Sequence, residues 1–133
     1  MSARYDGVDA MLADARSRLQ RLRPEDAYRE VVDHGAILVD IRPAAQRAAE
    51  GEPDPDLGPR VVERNVLEWR FDPRSEARLP EAAYDARVIV LCQEGYTSSL
   101  AADSLASLGV TRATDVVGGF AAWRDAGLPV AGD

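Results

Sequence analysis

Two short apolar runs, Ala36-Ile37-Leu38-Val39-Asp40-Ile41 and Arg87-Val88-Ile89-Val90-Leu91-Cys92, constrain this chain more than any other feature. Both are shorter than an ordinary helix and lack the polar–apolar alternation of a strand with one wet face. They read as strands buried on both sides, as in a parallel sheet covered by helices. The first ends on a charged pair, Asp40 and Arg42, and the second on the only cysteine of the chain.

The segments around these runs supply the helices. Val8, Met11, Leu12, Ala15, Leu19 and Leu22 follow helical spacing, with arginines 16, 18, 21 and 23 late in the segment, where they complement the helix dipole. A second helix is predicted from Pro24, with Glu25 and Asp26 in its first turn and Gly35 as its stop. Residues 43–49 are alanine-rich and predicted helical, and the breaker-rich stretch Gly51 to Pro59 a surface loop. Val61 to Val66 is predicted as a short strand, and Leu67 to Arg78 as irregular. After Cys92 a helix with Ala101, Ser104, Leu105 and Leu108 on one face runs to Gly109. Ala113 to Val117 is predicted as a further strand, and Phe120 to Ala126 as a helix after the turn Gly118-Gly119. Alternating strands and helices define an α/β fold, here a three-layer, doubly wound domain whose mostly parallel sheet is flanked by helices.

At 133 residues the chain has material for one core. Its formal charge is −7, and all 16 basic residues are arginine, a balance that argues against a nucleic-acid partner. No apolar run reaches the ~18–20 residues of a membrane span, and the N-terminus has no apolar signal region, so a cytoplasmic protein without a membrane partner is expected. One cysteine permits neither an internal disulfide nor a multi-cysteine zinc site, and the lone His34 offers no metal site. No metal and no cofactor are expected.

Ligands of an open parallel sheet bind at the carboxyl ends of its strands, which is where Cys92 falls. The residues after it contain Gly95 and lead into Thr97, Ser98 and Ser99, all helix-capping types. Such a loop can turn its N–H groups onto the sulfur, and N–H groups converging at a helix N-terminus favour thiolate over thiol. The plainer reading of Cys92 is a small buried hydrophobe at a strand end.

Cys92-Gln93-Glu94-Gly95-Tyr96-Thr97-Ser98 resembles the active-site loop of rhodanese-like domains, C-x-x-G-x-x-S. Ile37 to Arg42 resembles the early family strand ending in Asp-x-Arg, and Gly118 to Val130 the closing segment G-G-x-x-x-W-x-x-x-G-x-P-V. The resemblance divides the chain into an N-terminal helical extension, residues 1–21, and a rhodanese-like domain, residues 22–133. It implies a sulfurtransferase in which Cys92 takes sulfane sulfur from a small donor such as thiosulfate, holds it as a persulfide and passes it to a thiol or cyanide acceptor or to a partner protein. Gln93, Glu94, Gly95, Tyr96, Thr97 and Ser98 would then bind the donor, with Asp40 and Arg42 in support.

Two departures bear on that reading. Many family loops carry arginine where this chain has Thr97, and Glu94 adds negative charge beside an anionic donor. Phosphatases and arsenate reductases on related scaffolds need an arginine at the end of the loop, which is missing here. A non-catalytic binding module and a peroxide-sensing thiol also compete with the sulfurtransferase. Asp40 and Arg42 suit loop anchoring, Phe120 and Trp123 suit the core, and Tyr96 suits an exposed loop tip. His34 suits a helix end, and the run Glu50, Glu52, Asp54 and Asp56 a solvated loop.

Overall fold

In the computed structural model, which describes residues 2–132, both apolar runs are strands. β1 (Ile37–Asp40) pairs in parallel with β3 (Val88–Leu91), Ile37 opposite Val88 and Asp40 opposite Leu91. β2 (Arg60–Val61) lies parallel on the outer side of β1, and β4 (Thr114–Asp115) parallel on the outer side of β3. The sheet order is β2-β1-β3-β4.

Side-chain alternation along β1 and β3 feeds two cores rather than one core and solvent, hence the near-continuous apolar runs. Val39, Ile41, Val88, Val90 and Cys92 face α4 (Leu67–Phe71) and α5 (Thr97–Ser107), meeting Leu67, Phe71, Ala101, Ala102 and Leu105. Leu38, Ile89 and Leu91 face α2 (Pro24–His34) and α6 (Gly119–Asp125), meeting Ala27, Val31, Phe120 and Trp123. The predicted three-layer α/β architecture is what forms. α1 (Val8–Ser17) packs against α5, and α3 (Ala44–Glu50) follows β1.

Four local expectations are corrected. The first helix stops at Ser17, and Leu22 leaves it to form a parallel bridge with Val116. Its N–H donates to the Asp115 carbonyl at 3.0 Å and its carbonyl accepts from Val117 at 2.8 Å, satisfying backbone groups that the outer edge of β4 would leave open. The predicted strand over Val61 to Val66 shortens to β2 and a 3-10 turn, Arg64–Val66. The region from Leu67, predicted irregular, opens with α4, because Leu67 and Phe71 stand four residues apart and are both buried in the first core. The acidic stretch is solvated only in part: Pro53 is buried and bridges Val130, Glu52 accepts from Arg47 at 2.8 Å and Glu50 lies 3.6 Å from Arg42, whereas Asp56 is exposed as expected.

Helix α2 is tied to the start of β3 by a two-point contact, Arg87 Nε to Glu30 Oε1 at 2.7 Å and Nη2 to Oε2 at 3.0 Å. These hydrogen bonds hold the Glu30 carboxyl below the usual carboxylate range. The folded value is the lower one, so this stabilisation is complete above the unfolded value of about 4.3 and is lost as pH falls through the folded value. Glu30→Gln is expected to cost up to about 1 kcal/mol at neutral pH and nothing in strong acid, as read from urea denaturation at a series of pH values.

Candidate active site

Cys92 directly follows β3 and is 5% exposed, its side chain continuing the face of Val88 and Val90. The chain then turns through Gln93, Glu94, Gly95 and Tyr96 into α5. The Gly95 N–H donates to Cys92 Sγ at 3.2 Å. Gly95 has φ +86°, and a Cβ there would come within 2.8 Å of the Gly118 nitrogen and 3.1 Å of the Val116 carbonyl oxygen. The turn that brings an N–H onto the sulfur is thus open only to glycine.

The Gly118-Gly119 turn fixes the same loop from outside. Phe120 N–H donates to the Cys92 carbonyl at 2.8 Å and Ala121 N–H to the Gln93 carbonyl at 3.0 Å. In a trans peptide the N–H points opposite to the C=O, so these bonds turn the Gln93 and Glu94 N–H groups away from α6. The first turn of α6 thereby finds partners for its own free N–H groups and sets the orientation of two loop peptides.

Behind the loop, Asp115 is completely buried and gathers three side chains. Ser98 and Ser99 each donate to its Oδ2 at 2.7 Å, and Arg21 reaches Oδ1 from Nε at 2.9 Å. Ser98, grouped with the donor-binding residues from sequence, is therefore committed to the interior side of α5. Arg21 and Arg16 both donate to the Gly95 carbonyl, at 3.0 and 2.7 Å, and Arg16 Nε also donates to Ser99 Oγ at 3.0 Å. The sequence marks neither arginine as part of a site.

On the other flank, Arg42 is buried and grips Asp40 at two points, Nε to Oδ1 at 2.9 Å and Nη2 to Oδ2 at 2.7 Å. It also donates to the Gly51 carbonyl at 2.8 Å and to Gln93 Oε1 at 3.0 Å, with its guanidinium 4.4 Å from the centre of the Phe120 ring. The Asp-x-Arg pair closing β1 thus holds a side chain of the cysteine loop.

Cys92 opens onto a cleft of about 530 Å³. Gln93, Glu94, Tyr96 and Thr97 line it on the loop side, and of these Glu94, Tyr96 and Thr97 are exposed. Opposite stand Pro43 and Gln46 of the α3 segment and Glu63, Arg64 and Asn65 after β2. These opposing residues have no mark in the sequence beyond the four-residue spacing of Arg64 and Glu68, whose side chains pair at 2.9 Å. The cleft is large beside an inorganic donor, and of its two arginines Arg42 is committed to Asp40 and Arg64 to Glu68.

A model of the rhodanese-like domain matches residues 6–126, a span that takes in α1 as well as every strand. The chain belongs to the rhodanese-like domain family. The thiosulfate sulfurtransferase GlpE of Actinobacillus pleuropneumoniae is 31% identical over 109 residues, covering 82% of this chain and 90% of GlpE. The maize adenylyltransferase and sulfurtransferase MOCS3-1 is 32% identical over 99 residues, 72% of this chain, and this chain spans only 20% of that protein's length. Among solved structures, a Rhodopseudomonas palustris protein of unknown function, described as a possible tyrosine phosphatase, is 31% identical with a TM-score of 0.83 over 98% of both chains. The polysulfide-sulfur transferase of Wolinella succinogenes shares the fold, with a TM-score of 0.66 at 22% identity over 92% of this chain and 85% of that one. This rhodanese-like chain therefore has sulfurtransferases among its relatives. Among the described residues no helix is long and apolar enough to cross a membrane.

Proposed function

We propose that this rhodanese-like domain is a sulfurtransferase that carries sulfane sulfur as a persulfide on Cys92. The observation that carries the reading is the Gly95 N–H on Sγ of Cys92, a cysteine that lines the cleft; this donor is fixed in place before any substrate arrives. The Cys92 thiolate attacks the outer sulfur of thiosulfate, a new S–S bond forms, and the old one breaks with its electron pair leaving on sulfite. A thiolate or cyanide acceptor then attacks the outer sulfur of the persulfide and releases the Cys92 thiolate. A sulfur-accepting partner protein could supply that thiolate. No net oxidation occurs and no cofactor is called for.

The loop arginine common in the family is replaced by Thr97, which lines the cleft, and Glu94 sits beside it. Weak use of thiosulfate is expected for that reason. A phosphatase reading has less support, because the loop offers no arginine to clamp a tetrahedral oxyanion and Ser98, six residues past Cys92, donates to Asp115.

The test is intact mass after incubation with thiosulfate. The protein is expected to gain one sulfur atom, to lose it with dithiothreitol and to gain nothing as Cys92→Ser. A wild-type protein that gains no sulfur from thiosulfate or polysulfide would favour a non-catalytic binding module. Cys92-dependent hydrolysis of an aryl phosphate would favour the phosphatase.

A further inference from the structure

The cysteine loop carries no cation of its own, since Glu94 is acidic and Thr97 neutral, yet two guanidinium groups converge on its far side. Both come from the segment before the second helix: Arg16 from α1, and Arg21 from the stretch leading to the Leu22 bridge. Arg21 directs its charge to Asp115. Arg16 differs. Among the described residues it meets no carboxylate, and its donors go to neutral oxygens, Nη2 to the Gly95 carbonyl at 2.7 Å and Nε to Ser99 Oγ at 3.0 Å. Its guanidinium also lies 5.8 Å from the centre of the exposed Tyr96 ring, which lines the cleft.

Resting on the sulfurtransferase reading, we propose that Arg16 is a positioning residue for sulfur transfer, which holds the Gly95–Tyr96 peptide and supplies the cationic field that the loop lacks at Thr97. Drawing the Gly95 carbonyl towards Arg16 and Arg21 turns the Tyr96 N–H of the same trans peptide the opposite way. The neighbouring Glu94–Gly95 peptide carries the N–H already on Cys92 Sγ, so a rotation of one disturbs the other. A cation one peptide away from this point also attracts an anionic donor and offsets the charge of the persulfide, because the carboxylate beyond Ser99, Asp115, is already paired with Arg21 and Arg16 makes no ion pair of its own. The first helix thus supports the cysteine loop: α1 packs on α5 and delivers Arg16 to the start of α5.

The experiment compares alkylation of Cys92 by iodoacetate, an anion, with alkylation by neutral iodoacetamide, each followed by intact mass. The ratio of the two rates reports the local potential at the sulfur and is insensitive to a uniform change in thiol reactivity or access. Arg16→Gln is expected to lower the ratio roughly two- to fivefold at low salt. Arg16→Lys should restore most of the ratio. It should restore only part of kcat/KM for thiosulfate, because an ammonium cannot reproduce the fork that reaches both Gly95 and Ser99. Arg23→Gln, which removes a charge from the same segment at a side chain paired with Glu25, should leave both quantities unchanged.

A wild-type ratio in Arg16→Gln overturns the proposal. If that variant does not fold by circular dichroism, Arg16→Met takes its place, and failure of both to fold makes Arg16 a structural residue and overturns the proposal equally. Alkylation needs only the thiol, so the two readings separate: persulfide formation with an unshifted ratio sinks the role of Arg16, and a shifted ratio without persulfide sinks the sulfurtransferase.

Discussion

Gly119→Ala is expected to reduce sulfur transfer about a hundredfold and to destabilise the fold by roughly 2–4 kcal/mol. Gly119 has φ +62°, and an added Cβ would sit 2.5 Å from the Cys92 carbonyl oxygen and 2.7 Å from both the carbonyl carbon and oxygen of Gln93. All three are backbone atoms, which cannot swing aside as the end of a side chain can. They also belong to the peptides whose carbonyls accept from Phe120 and Ala121, so relief of the clash must break the contacts that hold the cysteine loop. The left-handed backbone adds about 1–2 kcal/mol for any residue with a Cβ. Gly127→Ala is the matched control: its φ is +74°, but nothing lies within 4 Å of an added Cβ. It should show the backbone cost alone, with activity close to wild type. Urea denaturation and kcat/KM on both variants decide the matter, and a Gly119→Ala protein as active as Gly127→Ala would mean that the α6 turn does not govern the loop.

The contrast between these glycines shows what a linear pattern can carry. Val88 to Leu91 announce a two-sided strand because every one of them is buried, and Pro24 with Gly35 bracket α2 through local backbone preferences. Cys92 and Gly95 are legible together because the turn and the N–H on the sulfur lie within three residues. Contacts made across the chain have no such local mark. Arg16 and Arg21 reach the Gly95 carbonyl over separations of 79 and 74 residues, and on the line they resemble any helix-end arginines. Leu22 satisfies helical spacing by coincidence, and only the open edge of β4 reveals that it pairs with Val116. The five-residue α4 is too short for a period and rests on one buried pair, Leu67 and Phe71. Asp115 reads as a polar residue in a short strand, and its burial becomes intelligible only once Ser98, Ser99 and Arg21 surround it.

The second large effect expected is at Arg42, where replacement by methionine should destabilise the protein by about 3–5 kcal/mol. Both partners of the Asp40–Arg42 pair are 1% exposed, so removal of the guanidinium leaves a carboxylate in the interior with the Arg42 backbone N–H, at 3.1 Å, among its few remaining donors. The loss spreads beyond the pair, since the Gly51 carbonyl and Gln93 Oε1 lose a donor and Phe120 loses the nearer of the two guanidinium groups over its ring, Arg124 remaining at 5.2 Å. Arg42→Lys should recover little, because one ammonium cannot face Asp40, Gly51 and Gln93 together. The informative companion is the double variant Asp40→Asn with Arg42→Met. Removing the orphaned charge should return a large part of the stability, as it does when both members of a buried pair are neutralised. Sulfur transfer should not return with it, because Gln93 still lacks the group that fixes it beside Cys92. Denaturation midpoints and kcat/KM for the three variants separate the two roles. A single variant losing under about 1 kcal/mol would place this pair with ordinary surface ion pairs, and recovery of stability and activity together in the double variant would leave Arg42 as a scaffold residue with no hold on the loop.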